Sequence, residues 1–423
     1  MINRIRTLNK DVFFRSYAVY FTGSMIVAVL NYVFYPVLGR LLSPSDFGDL
    51  QALISLITQF SLILGAFSVI AVNITANTEN PLERDAIIAE LQKITFWIIG
   101  IVFVFLLLSI TKLKLFFNFS SIYPLIGLVI LLPTSAFAVF RNAYLQGSGR
   151  FKELSLAGII SSLGRLVFAI VFILLGLRVF GATLGIIISN IFVLIYLFYQ
   201  TKNSLRLGLN TNMHTLEKGS VIKELKYGVL VFFATGLVTL FYTSDILIVK
   251  HYFNSVEAGL YSGISAIAKI LFFAVGPVAT VLFSSLKIKQ TFKENLSAFK
   301  KSLLITFIVG GVGIFMFSVF NDMIVSLMIG SKYASFAHFL PKAGLMMLLT
   351  AIVNIFIFYF LALRRFFLIV VSLAGASFLW FILLQGHADI NTILNNLILS
   401  LIIIIISLTT AYAKDYFHHN TRS

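Results

Sequence analysis

GRLLSPSDFGDLQAL at residues 39–53 and KHYFNSVEAGLYSGI at residues 250–264 are one pattern written twice. Equivalent positions lie 211 residues apart, so that Gly48 meets Gly259 and Asp46 meets Glu257. Each copy opens a helix in the same way. Ser43-x-x-Asp46 and Asn254-x-x-Glu257 have the form of a capping box: the first side chain takes a free backbone N–H, and the acid three residues on faces the positive end of the helix dipole. A shorter echo, SLAG at 155–158 and again at 372–375, recurs at an offset of 217. Chance gives one such echo easily, but two at similar offsets argue for a duplicated half.

The composition says what solvent surrounds these halves. Of 423 residues, 59% are hydrophobic and 11% charged, against about 25% charged in a soluble domain. Such a chain cannot cover a water-facing surface, so lipid is its main solvent. Apolar runs of about 20 residues, the length that spans a roughly 30 Å hydrocarbon core as a helix, recur throughout. They lack the alternation and turns of a β-barrel. The expected fold is therefore an all-α polytopic membrane protein of about twelve spans in two six-helix lobes. The spans are read at 16–39, 48–73, 95–112, 121–145, 156–177, 181–200, 227–250, 258–286, 301–320, 337–363, 366–385 and 391–413. The expected division is an N-terminal lobe at 1–200, a cytoplasmic linker at 201–226 and a C-terminal lobe at 227–423. The first apolar run is too long for a cleaved signal peptide, and no small-x-small site follows it.

The 32 Lys and Arg residues sort by side. The two tails and the even-numbered loops hold 22 of them, and the odd-numbered loops hold seven: Arg40, Lys112, Lys114, Arg178, Lys250, Lys332 and Lys342. The positive-inside rule then puts both termini in the cytoplasm of a cell (inner) membrane protein. A miscounted span would scramble the alternation. A net charge of +16 thus reports orientation in the membrane, and no nucleic-acid partner is expected. The absence of cysteine excludes disulfides, thiolate metal sites and cysteine nucleophiles.

The same residues carry a resemblance. GRLLSPSDFGDLQAL after the first span, LQGSGRFKELSLAG (145–158) between spans four and five, and SDILIVKHYFNSVEAGLYSGISAIAKIL (244–271) around span eight resemble the polysaccharide (O-antigen and capsule) flippases. These belong to the multidrug/oligosaccharidyl-lipid/polysaccharide exporter superfamily. The resemblance implies two six-helix lobes around a central cavity that opens alternately to each side. It also implies a polyprenyl-diphosphate-linked oligosaccharide as cargo, with membrane lipids and polysaccharide assembly proteins as further partners.

Ionisable groups deep in a span cost roughly 2.5–3.5 kcal/mol on insertion scales and are retained for a reason. Arg165 lies deep in span five and Lys269 deep in span eight, and both fit either a polar cavity wall or a buried ion pair. Arg141, nearer the cytoplasmic end of span four, also fits an interfacial snorkelling role. Asp245 is the carboxylate well inside a predicted span. It reads either as a coupling site for a proton or cation, or as the counter-ion of Lys269 or Arg165. Two arginines and no deep carboxylate in the first half suit an anionic cargo, because Arg forms bidentate hydrogen bonds to diphosphate or uronate oxygens. Tyr20, Asn31, Tyr32 and Tyr35 make span one partly polar, which fits cavity lining as well as ordinary interhelical hydrogen bonding. Pro36, Pro133, Pro277 and Pro341 interrupt or border spans and are hinge candidates.

No metalloprotease, nucleophile-elbow, P-loop or dinucleotide motif is present, so no enzyme activity, cofactor or metal is expected. Without an ATPase motif, transport draws on a gradient. Two alternatives stay beside the flippase: an ion-coupled small-molecule (multidrug-type) efflux transporter, and a membrane glycosyltransferase or polymerase. The deep arginines count against the first, and the lack of any loop beyond about 30 residues counts against the second.

Overall fold

A computed structural model of the protein describes residues 2–78, 80–202, 218–286, 292–363, 375 and 386–420. Every regular element among the described residues is helical. Nine helical stretches among them are long and apolar enough to cross a membrane, and the chain is a multi-pass membrane protein. The eleventh expected span, 366–385, lies outside the described residues apart from Gly375, as does most of the expected linker and most of the second SLAG echo. Contacts divide the chain into two compact units, Met1–Val229 and Leu230–Ser423.

In the first unit, α1 (Ile2–Leu41) packs along α5 (Phe151–Phe172), and α2 (Pro44–Asn77) packs on α4 (Tyr123–Gly147). α3 (Pro81–Phe116) also leans on α4, and α6 (Arg178–Thr201) contacts both α4 and α5. Phe67, Ile70, Ile74, Leu91 and Phe140 form one buried cluster, and Ala138, Leu145, Ala157, Val193 and Leu197 another. Trp97, Phe105, Leu108 and Ile195 point outward and stay exposed, as side chains do when the surrounding solvent is hydrocarbon.

The third helix is longer than expected. Asn80 Oδ1 accepts the Leu82 N–H at 3.0 Å, and Pro81 supplies a first-turn residue whose missing N–H costs nothing. The helix therefore begins within the acidic stretch read as a loop and runs about 54 Å at 1.5 Å per residue, well beyond a 30 Å core. α5 and α6 form a tight antiparallel pair. The turn between them uses Gly176 at φ 87° and Arg178 at φ 48°, and the first of these suits glycine because it has no Cβ to clash. Gly181, Gly185 and Ser189 recur every fourth residue along α6. A Cβ at Gly181 would meet the Phe172 carbonyl carbon at 2.8 Å, and one at Gly185 would meet the Ala169 nitrogen at 2.5 Å. Ser189 Oγ donates to the Ser161 carbonyl at 2.7 Å. Small residues at this spacing let two backbones touch, which is how membrane helices associate without a hydrophobic driving force.

In the second unit, α7 (Lys218–Tyr252) leads into α8 (Ser255–Ser285). α9 (Phe292–Val319), the short α10 (Asn321–Met328) and a 3-10 turn (Ser331–Phe339) precede α11 (Leu340–Ala362). α11 is the core element: it packs on α8, α9 and α12 (Ile390–Asn420), and Met346, Met347, Val353, Ile355 and Tyr359 on it are buried.

The repeat is visible in the geometry. Ser43 Oγ accepts from the Asp46 N–H at 3.2 Å, and Asn254 Oδ1 accepts from the Glu257 N–H at 2.9 Å. The helices before them, α1 and α7, end at Leu41 and Tyr252, again 211 residues apart. Both units thus turn from their first helix into their second at the same register. Pro36, Pro133 and Pro277 lie inside α1, α4 and α8, whereas Pro341 opens α11 and interrupts no helix.

Candidate functional site

Two charge centres stand out, one in each unit and each held between two helices: the first is half-buried and the second fully buried. The first is Arg165 on α5. Its Nη2 donates to Asn31 Oδ1 on α1 at 2.9 Å, and its guanidinium carbon lies 4.3 Å from the centre of the Phe34 ring. Asn31, Phe34 and Tyr35 lie on neighbouring positions of one α1 face, so a helix that packs on α5 brings all three toward one side chain. Tyr35 meets Phe34 edge-on at 5.8 Å. Arg165 forms no ion pair among the described residues, and its Nε is buried without a hydrogen-bond partner there. Among the described residues the positive charge is therefore oriented by neutral groups alone, although a charge drawn out of water ordinarily takes a counter-charge.

Arg141, near the end of α4, is 5% exposed. Its guanidinium lies over the Phe198 ring at 3.4 Å and donates to Thr201 Oγ1. It too is held by neutral partners, both on α6. Tyr20 stacks obliquely on Phe151, the first residue of α5, at 5.3 Å. Of the first-unit candidates, the structure brings Asn31, Tyr35 and Arg165 together. Tyr20 and Arg141 contact other side chains.

The second centre is Asp245 on α7, which is fully buried. Its Oδ2 accepts from the Tyr261 hydroxyl at 3.0 Å and from the Ser265 hydroxyl, while Oδ1 has no partner among the described residues. Lys269 lies one turn beyond Ser265 on α8, and it forms no ion pair with Asp245 within 4.0 Å among the described residues. Tyr261, Ser265 and Lys269 follow one another at four-residue spacing, so one stripe of α8 faces the carboxylate. Asp245 lies seven residues before the end of α7, about 10 Å along the helix axis.

Sequence reasoning named the charges but missed most of what holds them. Phe34, Tyr261 and Ser265 were not singled out, although the i, i+4, i+8 spacing of Tyr261, Ser265 and Lys269 was a readable signal. Asp49 was also missed. It is fully buried at the start of α2 and accepts the Ser120 backbone N–H at 3.0 Å and its hydroxyl, tying the chain before α4 to α2. Its position at the very edge of a predicted span hid it.

Comparison with known proteins gives a consistent picture. The family described as polysaccharide biosynthesis protein matches residues 13–286. No curated protein sequence matches the chain. Among solved structures, the eukaryotic MATE transporter AtDTX14 is similar over 95% of this chain and 96% of its own, with a TM-score of 0.62 at 13% identity. An outward-facing multidrug resistance MATE transporter of the MOP superfamily has a TM-score of 0.57 at 15% identity, covering 96% of each chain. A MOP superfamily transporter from Pyrococcus furiosus, described as having a binding pocket of reverse polarity, has a TM-score of 0.53 at 14% identity over 93% of each chain. At these identities the likeness speaks for the fold.

Proposed function

The chain belongs to the polysaccharide biosynthesis protein family, and from that premise we propose that it is a flippase. It carries a polyprenyl-diphosphate-linked oligosaccharide from the cytoplasmic to the outer leaflet of the cell (inner) membrane by alternating access, with both termini in the cytoplasm. The observation that carries this reading is Arg165. A half-buried guanidinium whose partners among the described residues are all neutral offers its charge to a ligand, and its planar fork matches phosphate or carboxylate oxygens. The polyprenyl tail would stay in lipid while the head group crosses. Arg141 in the first unit and Lys269 in the second add positive charge within the bilayer, which suits an anionic cargo.

The test is transport in proteoliposomes loaded with a lipid-linked oligosaccharide. Arg165→Ala should abolish translocation with the protein still folded and inserted. Arg165→Lys should restore only part of it, because an ammonium lacks the fork. Transport by Arg165→Ala at the wild-type rate would end the proposal. Orientation is tested separately: reporter fusions after Lys218 and Lys293 should read cytoplasmic, and one at Asn254 external.

A second reading, ion-coupled efflux of small molecules, has one observation in its favour. The Oδ1 of buried Asp245, which has no partner among the described residues, is a place for a proton or cation to bind. Under that reading Asp245→Asn removes the dependence of transport on an ion gradient while leaving the melting temperature unchanged. The two readings differ in cargo charge, and competition by anionic against cationic substrates separates them.

A further inference from the structure

Asn31 touches the cation of the first unit, and its chemistry has a consequence for selectivity. Its amide oxygen sits 2.9 Å from Arg165 Nη2, the place where a carboxylate would sit in an ordinary buried ion pair. Aspartate has the same shape as asparagine, so the fold has room for an acid at this position. No carboxylate pairs with Arg165 among the described residues. The ring of Phe34, 4.3 Å away, orients the guanidinium through its negative face without neutralising it. The Nε–H, on the same edge of the guanidinium as Nη2, is buried without a partner among the described residues. Among the described residues, one edge of the fork is therefore bonded at one nitrogen and unpartnered at the other.

We propose that Asn31 is a specificity-determining residue: its neutral amide orients Arg165 while keeping the charge available, and so sets the site to accept an oxyanion. The ligand chemistry is a diphosphate or a sugar carboxylate that takes the Nε–H and shares the Nη groups. This rests on the reading of Arg165 as a cargo contact. Changing one atom at position 31, from amide nitrogen to carboxylate oxygen, converts the anion site into a closed ion pair. A purely structural role predicts the opposite order of effects. If Asn31 served only to fill space and satisfy a hydrogen bond, the isosteric Asn31→Asp would be milder than Asn31→Ala.

The experiment measures binding of farnesyl diphosphate and octyl glucuronide to the full-length protein in nanodiscs, with octyl glucoside as the neutral control. Whichever anionic probe binds identifies the source of the oxyanion. Asn31→Asp should weaken its binding roughly thirtyfold or more, the scale of losing a buried charge-assisted contact, with melting temperature held or raised. Asn31→Ala should weaken it by about fivefold, the scale of a single hydrogen bond that orients the guanidinium. Asn31→Gln and Asn31→Glu repeat the neutral-against-charged comparison should the first pair fold poorly. Asn31→Asp binding as tightly as wild type, or more tightly than Asn31→Ala, overturns the inference. Arg165→Ala separates the two levels. If Arg165→Ala loses binding while Asn31→Asp keeps it, Asn31 has no selective role and the flippase reading stands. If Arg165→Ala binds every anionic probe as wild type does, that reading falls and takes the inference with it.

Discussion

Phe34 and Asp245 occupy equivalent places in the two units. Each lies seven residues before the end of the first helix, at Leu41 and Tyr252, and the 211-residue register aligns one position with the other in sequence. In the first unit the position holds an aromatic ring under a cation. In the second it holds a carboxylate that accepts two hydroxyls. The same register carries the difference into the next helix. Leu50, Ile54 and Thr58 on α2 correspond to Tyr261, Ser265 and Lys269 on α8. A largely apolar set in one half has become a wholly polar set in the other. The duplicated backbone decides which positions meet, and a few side chains at those positions decide which sign of charge is held there.

The largest effect should come from erasing the polar set. Asp245→Leu strands the Tyr261 and Ser265 hydroxyls, each at about 1–3 kcal/mol when a buried donor is left unmade. Adding Tyr261→Phe and Ser265→Ala should recover much of the loss, because removing both partners of a hydrogen bond can be nearly neutral. A triple variant no more stable than the single one, by thermal unfolding in detergent, would break the comparison and point to Lys269 as what Asp245 serves.

The frame around Arg165 gives the next effect. Gly185→Ala places a Cβ 2.5 Å from the Ala169 nitrogen, and overpacking of this kind costs roughly 1–3 kcal/mol. Because α5 carries Arg165, the variant should lose transport as well as stability. Full transport with an unchanged melting temperature would mean that the α5–α6 contact does not fix the site. Phe34→Leu should act more gently. Losing a cation–π contact of about 0.5–2 kcal/mol should slow transport severalfold while Arg165 remains bonded to Asn31. If Phe34→Leu transports as wild type does, the ring is packing alone and the match with Asp245 is only positional.

The smallest effect concerns the cap at the start of α12 in the second unit. Asp389 Oδ1 accepts the Thr392 N–H at 2.6 Å at the start of α12. The Thr392 hydrogen bonds hold the Asp389 carboxyl below the usual carboxylate range, with the nearby Lys342 charge acting in the same direction. A depressed folded value means that the cap stabilises above the unfolded carboxylate value of about 3.9 and is lost as pH falls through the lower folded value. Asp389→Ala should lower the melting temperature slightly at pH 7, with the difference from wild type vanishing at the acid end of that window. A difference that persists there would assign the effect to something other than the cap charge.

The sequence by itself determined the solvent, the helical class and the two matching helix caps. Apolar runs long enough to span lipid, few charges and two copies of one cap motif need no partner to be read, because they depend on local spacing. The caps at Ser43 and Asn254 therefore appear where the motif placed them. The helix at 81–116 was read too short, because its acidic first turns look like a loop until Asn80 and Pro81 are seen to start it. Arg165 and Asp245 were legible as charges out of place in lipid, but their surroundings were not. Phe34 lies far from Arg165 along the chain, and only the packing of α1 on α5 sets its ring beneath the guanidinium. Tyr261 and Ser265 likewise reach Asp245 because α7 and α8 turn back on each other at Asn254. Periodicity says which face a side chain occupies. Which face of another helix it meets depends on close contacts between distant segments, such as Gly185 against Ala169, and so only the tertiary structure decided that the first unit leaves its cation open while the second secures its carboxylate.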